Sequence, residues 1–170
     1  TIVPLYREEN KYYIDESNLD NLVFLDNGTQ FVITSEKSGY MHLYLYDLNG
    51  RERQAITKGN FDIIDFYGYD PVRKLFYYSS YEESPLEKYI YSINEKGLKK
   101  KLTPVKGWNE ASFSKNFNYY INVVSNTDTP PVTALYNAKG KQVRVLEDNK
   151  AVKEAVKAYN LAKPEFLQIP

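Results

Sequence analysis

The sequence holds one histidine, His42, and no cysteine. A serine hydrolase needs an imidazole to take the nucleophile's proton and a carboxylate to orient that ring. His42 sits between Met41 and Leu43 in an apolar-aromatic run, and no Gly-x-Ser-x-Gly elbow occurs. It is read as a hydrogen-bonded strand residue rather than a base. Lack of cysteine excludes disulfides, thiolate metal sites and a cysteine nucleophile. A metal would need oxygen ligands alone, and Asp15, Asp20 and Asp26 lack calcium-loop spacing, so they read as solvated turn carboxylates. Glu8-Glu9 and Glu82-Glu83 have the chemistry to hold a cation or an amine. Neighbours on a strand point to opposite faces, so both pairs read as exposed charge. Lys99-Lys-Lys101 reads as a solvated sheet edge that discourages strand addition. Asn27-Gly28-Thr29 fits a glycosylation acceptor, but Asn-Gly is also what a tight hairpin wants, and the turn alone explains it. There is no phosphate-binding glycine loop. No catalytic, cofactor-binding or metal-ligating residue is therefore assigned in this chain.

Composition narrows the classes further. In 170 residues, 22 basic and 22 acidic side chains cancel, leaving no net charge to neutralise phosphates, so nucleic acid is not an expected partner. No apolar run approaches the roughly 18 residues of a membrane span. The opening Thr1-Ile-Val-Pro4 has neither Met nor a charged-then-apolar leader and reads as a processed or excised start without a signal segment. The 17 Tyr and 8 Phe suit half-buried strands whose rings pack while the hydroxyls reach water.

Three similar segments supply the elements. They are Leu43-Tyr-Leu-Tyr-Asp-Leu-Asn-Gly50, Tyr89-Ile-Tyr-Ser-Ile-Asn-Glu-Lys-Gly97 and Thr133-Ala-Leu-Tyr-Asn-Ala-Lys-Gly140, their glycines 47 and 43 residues apart. A short basic strand follows each, at 51–57, 98–103 and 141–146. An apolar-aromatic strand precedes each, at 31–35, 75–79 and 119–125. Upstream of those lies a further strand type at 22–25, 61–67 and 109–113, joined through turns at Asp26-Asn-Gly28, Asp70-Pro-Val-Arg73 and Ser114-Lys-Asn-Phe117. Four short strands repeated every 43–47 residues is the period of a β-propeller blade.

The expected fold is all-β: an arc of a β-propeller, with about three four-stranded antiparallel blades, part of another, and a short C-terminal helix. Residues 1–146 form the partial propeller, with blades at about 22–57, 60–103 and 108–146. Residues 1–14 are expected to supply outer strands of a preceding blade. Closure takes roughly four to eight blades, so three and a fraction read as part of a larger ring with two blade faces left bare. Residues 147–170 are expected to form a helix and an extended exit segment. Asp148 or Asn149 caps the helix, Ala151, Val152, Ala155, Val156 and Tyr159 share one face, and Lys163-Pro164 ends it.

The run Thr34-Ser-Glu-Lys-Ser-Gly-Tyr-Met-His-Leu-Tyr-Leu-Tyr46 resembles the Ser-Glu-x-x-Gly-aromatic-x-His-Leu-Tyr signature in the propeller of dipeptidyl peptidase IV-type serine exopeptidases, of the prolyl oligopeptidase clan. Ile56-Thr-Lys-Gly-Asn-Phe61, then Lys101-Leu-Thr103 with Ala111-Ser-Phe-Ser114, and finally Arg144-Val-Leu-Glu-Asp-Asn149 are similar to later segments of that propeller in the same order. Asn60-Phe61 stands where Trp is usual, and Asn109 follows the only Trp, Trp108. The resemblance implies an α/β-hydrolase domain of the same chain toward which 147–170 leads, with Ser, His and Asp of the triad beyond Pro170. It implies removal of N-terminal dipeptides with Pro or Ala second, a homodimer as one assembly of the parent, and a periplasmic or extracellular location, with a membrane anchor compatible. No cofactor or metal is implied, and the 170 residues alone are expected to be inactive. Tyr81-Glu82-Glu83 imitates the family's ammonium-binding Glu pair, but its place in the blade order is wrong, so that role is not carried over. The repeat pattern equally fits a non-enzymatic propeller that binds a protein or glycan through its loops. Another prolyl-oligopeptidase-like peptidase also stays open.

Overall fold

A computed structural model describes residues 4–15, 21–25, 28–159, 161, 162, 164–167 and 169. Twelve strands form three four-stranded antiparallel sheets, each a meander in sequence order. The first holds β1 (Val23–Phe24), β2 (Gln30–Ser35), β3 (His42–Asp47) and β4 (Glu52–Ala55). The second holds β5 (Ile63–Asp70), β6 (Leu75–Ser80), β7 (Tyr89–Ile93) and β8 (Lys99–Lys101). In the third are β9 (Trp108–Phe113), β10 (Tyr119–Asn126), β11 (Thr129–Asn137) and β12 (Gln142–Glu147), followed by helix α1 (Lys150–Ala158). This is an arc of a β-propeller with a short C-terminal helix. In a propeller the first strand of each blade runs nearest the axis, and the residues of β8, at the rim, are exposed.

The repeated glycines have a common local cause. Asp47 Oδ1 accepts the N–H groups of Asn49 and Arg51 at 2.9 and 3.0 Å. Asn94 Oδ1 does the same for Lys96 and Leu98, and Asn137 Oδ1 for Lys139 and Lys141. In each case the glycine three residues on donates its N–H to that residue's carbonyl. Gly50, Gly97 and Gly140 have φ of 73°, 78° and 77°, a left-handed turn position that a side chain would strain.

A second repeated device fixes how one blade enters the next. Thr57 Oγ1 accepts the N–H of Leu43 and Thr103 Oγ1 that of Ile90, both at 3.0 Å. Ile56 and Leu102 donate to the carbonyls of the same two residues, each at 2.8 Å. The chain then reaches the axial strand, where Ile63 N–H bonds Met41 O and Asn109 N–H bonds Lys88 O. The Ile-Thr and Leu-Thr steps are thus the points where the rim strand is clamped to the third strand.

Period-two alternation builds the core. In β6, Phe76 and Tyr78 face the first blade, and Leu75 and Tyr77 face the third. In β7, Tyr89 and Tyr91 join the first interface and Ile90 the second. Tyr78 stacks on Tyr91 at 5.4 Å, Tyr77 stacks on Phe117 at 4.9 Å, and Tyr120 stacks on Tyr136 at 5.2 Å. Tyrosine is abundant because the central blade needs rings on both faces.

Several expectations require correction. Residues 4–15 contain no strand; a strand needs a ladder partner, and this segment supplies side-chain cover instead. Leu5 and Tyr6 pack on Phe31, Ile33, Tyr44 and Tyr46, with the rings of Tyr6 and Tyr46 edge to face at 5.0 Å, so the first blade's outer face is not bare. The third blade's far face is, with Tyr119 49% and Ile121 39% exposed. Asn149 has φ of 50° and makes no side-chain cap; its amide bonds Pro131 O, while Asp148 Oδ1 accepts the Lys150 N–H at 2.9 Å. The helix buries none of its residues, so Val152, Val156 and Tyr159 share an uncovered face. The axial strands also shift: β1 shortens to two residues, β5 runs on through Asp70, and β9 starts at Trp108. Asp20, Asp26, Asn27 and Lys163 lie outside the described residues, as do residues 1–3 and Pro170.

Packing of this kind sets an order of mutational costs. Phe76→Ala, at a fully buried ring, should cost about 3–5 kcal/mol in urea unfolding. Thr103→Val strips the Ile90 N–H of its partner and should cost about 1 kcal/mol. Val72→Ala, on an exposed turn, should stay within about 0.5 kcal/mol.

Candidate functional site

His42 is placed where neither ring nitrogen is free for proton transfer. Nε2–H donates to the Gly59 carbonyl at 3.1 Å, and Nδ1 accepts from the Thr57 hydroxyl at 3.0 Å. Phe61 packs edge-on at 5.2 Å. The sequence reading of His42 as a structural strand residue matches this geometry.

The acidic pairs are more engaged than exposed charge. Glu8 accepts from Tyr6 and Ser35 hydroxyls, both at 2.7 Å, and Glu9 pairs with Arg7. Glu82 and Glu83 lie in the turn after β6, not on a strand, so they do not point apart. Glu82 pairs with Lys99, and Glu83 with Lys101 at 2.8 Å and with the Tyr91 hydroxyl at 2.9 Å. Lys101 Nζ sits 4.2 Å from the Tyr89 ring centroid. Lys99 and Lys101 are therefore paired with the two glutamates, which gives the acidic pair a role beyond exposed charge, while Lys99-Lys-Lys101 is the exposed sheet edge expected and Lys100 bonds the Lys139 carbonyl. The hydrogen bond from Lys101 holds the Glu83 carboxyl below its ordinary 4.5.

A cluster absent from the sequence reading sits between the second and third blades. Lys88, just before β7, has a side chain only 3% exposed. Its Nζ contacts Asp65 Oδ2 on β5 at 3.1 Å and Glu110 Oε1 on β9 at 2.6 Å. The ammonium lies 5.1 Å from the Trp108 ring centroid, and the Trp108 indole donates to Glu110 at 2.8 Å. Ser79 donates to Asp65 at 2.6 Å. Burial pushes the Asp65 carboxyl up, but hydrogen bonds from Ser79 and Lys88 outweigh it and hold the group below 3.8. The cluster's members come from separate stretches of chain, Asp65 on β5, Lys88 just before β7, and Trp108 and Glu110 on β9, so no local pattern reveals them. A lone Trp at a strand start was the only cue.

All of this lies at one end of the arc, where β5 and β9 begin and β2 and β6 finish. Beside the cluster opens a cleft of about 340 Å³, lined by Glu36, Asp62, Ile64, Tyr81 and Trp108 among others. Asp62 is fixed by the Met41 N–H at 2.6 Å and the Tyr81 hydroxyl at 3.0 Å. Among the described residues no group of three or more His, Asp or Glu is arranged to hold a metal ion.

A family described as the dipeptidyl peptidase IV (DPP IV) N-terminal region matches residues 1–131. The chain belongs to the dipeptidyl peptidase IV family. Within it, a probable dipeptidyl peptidase 4 of Aspergillus flavus is 30% identical over 166 residues, covering 89% of this chain and 21% of that protein. Dipeptidyl peptidase 4 of Trichophyton rubrum is 30% identical over 164 residues. The crystal structure of Porphyromonas gingivalis dipeptidyl peptidase 4 superposes with a TM-score of 0.84 at 41% identity, over 91% of this chain and 22% of that one. The chain thus spans about a fifth of the length of the dipeptidyl peptidases it matches.

Two limbs of pH dependence follow. The folded pKa of Asp65 is depressed, so its stabilisation is complete well above 3.8 and is lost as pH falls through the folded value. Urea midpoints should drop from pH 6 to pH 3, less so in Asp65→Asn. At the other extreme, burial pushes the Tyr77 phenol from 10.0 up to about 12, and burial likewise raises Tyr78 and Tyr120. Protonated, the Tyr77 ring stabilises the fold fully below pH 10, and that contribution disappears as pH rises through about 12. The share of tyrosinate absorbance at 295 nm that comes from the buried rings should therefore rise together with loss of the β-sheet circular dichroism, apart from the share of exposed rings such as Tyr12 and Tyr159.

Proposed function

We propose that the whole protein is a serine-type dipeptidyl peptidase that removes X-Pro and X-Ala dipeptides from peptide N-termini. This segment forms part of the propeller wall of the substrate chamber and a surface for packing the hydrolase domain. The observation that carries the reading is family membership together with the 41% identity to a dipeptidyl peptidase 4 structure. The chemistry is acyl transfer from a serine nucleophile with His and Asp support, supplied by the hydrolase domain. The propeller's share is confinement and orientation of the peptide. Engagement of both His42 ring nitrogens supports the reading that these 170 residues carry no general base. Peptides are the partners, a homodimer of the whole protein is an assembly to test, and the location proposed is periplasmic or extracellular.

The test is hydrolysis of a Gly-Pro chromogenic amide. The full-length protein should turn it over and lose activity on replacement of its nucleophilic serine. The 170-residue chain should release no chromophore above buffer. Turnover by that chain at enzyme-like rates, or none by the full-length protein, overturns the proposal.

A further inference from the structure

The cleft at the axial end combines three properties that suit one kind of guest. Its lining is aliphatic at the partly exposed Ile64 and aromatic at Tyr81 and Trp108. Its charge is negative: Glu36 and Asp62 line it, Asp65 and Glu110 stand behind Trp108, and Lys88 is the one ammonium set among them. Lys37, beside Glu36 in sequence, is turned away onto Tyr46 and Glu52. Four carboxylates against one ammonium leave excess negative charge beside exposed rings. Asp62 is held rigid by two donors, whereas Glu36 is exposed directly after β2.

The structure already shows a cation accepted by neighbouring groups of the same kind. Lys88 Nζ is bound by Asp65 and Glu110 with the Trp108 ring alongside, a carboxylate-plus-indole arrangement. Trp108 is nonetheless 42% exposed, and it lines the cleft. An aliphatic stem laid along Ile64 would set a cationic head near the Glu36 and Asp62 carboxylates and the indole.

We infer that this cleft is a binding site for a basic side chain, a guanidinium or ammonium on an aliphatic stem, carried by a peptide. The inference rests on the peptidase reading only in assigning the side chain to a peptide. A cleft of about 340 Å³ admits one such side chain, so the site discriminates among peptides by one residue. Neutral stems of the same length retain the Ile64 contact and lose the carboxylates. Acidic ones meet repulsion.

Trp108 is the only tryptophan in the chain and reports on the site directly. Its emission is followed while the protein is titrated with N-acetyl-arginine amide, N-acetyl-norleucine amide or N-acetyl-glutamate amide. The arginine compound should give a saturable change that weakens as sodium chloride is raised, and the other two should not. Glu36→Gln, in an exposed turn, should fold as the parent does by circular dichroism and raise the arginine Kd by about 2- to 5-fold. Equal responses to norleucine and arginine, an unchanged Kd in Glu36→Gln, or no saturable change would each overturn the inference. Binding to the 170-residue chain is read without turnover, so a cleft that binds nothing sinks only this inference whatever the full-length protein hydrolyses, and a full-length protein that proves inactive leaves arginine binding standing.

Discussion

Tyr77 and Tyr78 are neighbours on one strand, yet their rings are buried in two different interfaces. That is the constraint on which the rest of the structure depends. A four-stranded sheet cannot bury either face alone, and a blade between two others must bury both. Period-two alternation then calls for large apolar residues on both sides of β6 and β7, as at Phe76, Tyr77, Tyr78, Tyr89, Ile90 and Tyr91. Tyrosine and phenylalanine meet that demand because each ring buries a large area with few rotamers to freeze.

Blades that pack face to face must also arrive at a fixed spacing, and two hydrogen-bonded devices set it. The Asx-type turns at Asp47, Asn94 and Asn137 end the third strand and start the rim strand at the same point in each unit. Thr57 and Thr103 then tie the exit of the rim strand to the third strand's backbone. Each consumes a main-chain N–H that would otherwise be buried without a partner. His42 belongs to this same device, since its ring bonds the Thr57 hydroxyl that serves the junction.

The axial end is where structural and functional demands meet. Lys88 links the second blade to the third through Asp65 and Glu110, and a buried ammonium is tolerated there because two carboxylates and an indole surround it. The same carboxylates give the neighbouring cleft its negative character. The site proposed for a basic side chain lies at this end of the arc.

Strand count, blade period, the glycine turns and the Ile-Thr and Leu-Thr junctions were legible from residue order, because each rests on contacts within a hairpin or its immediate neighbour. The resemblance around Thr34 to Tyr46 carried the family for the same reason: its motif is contiguous. The roles of the charged residues were not legible. Glu82 and Glu83 looked like exposed neighbours on a strand until the turn brought them onto Lys99 and Lys101. Residues 1–14 read as strands, yet residues 4–15 have no ladder partner and serve as cover for the first blade. Lys88, Asp65, Glu110 and Trp108 carry no periodic signal, since they meet only when one blade is laid on the next. Local hydrogen bonding and alternation are written in the sequence; which charges meet is decided by the angle and spacing at which the blades stack.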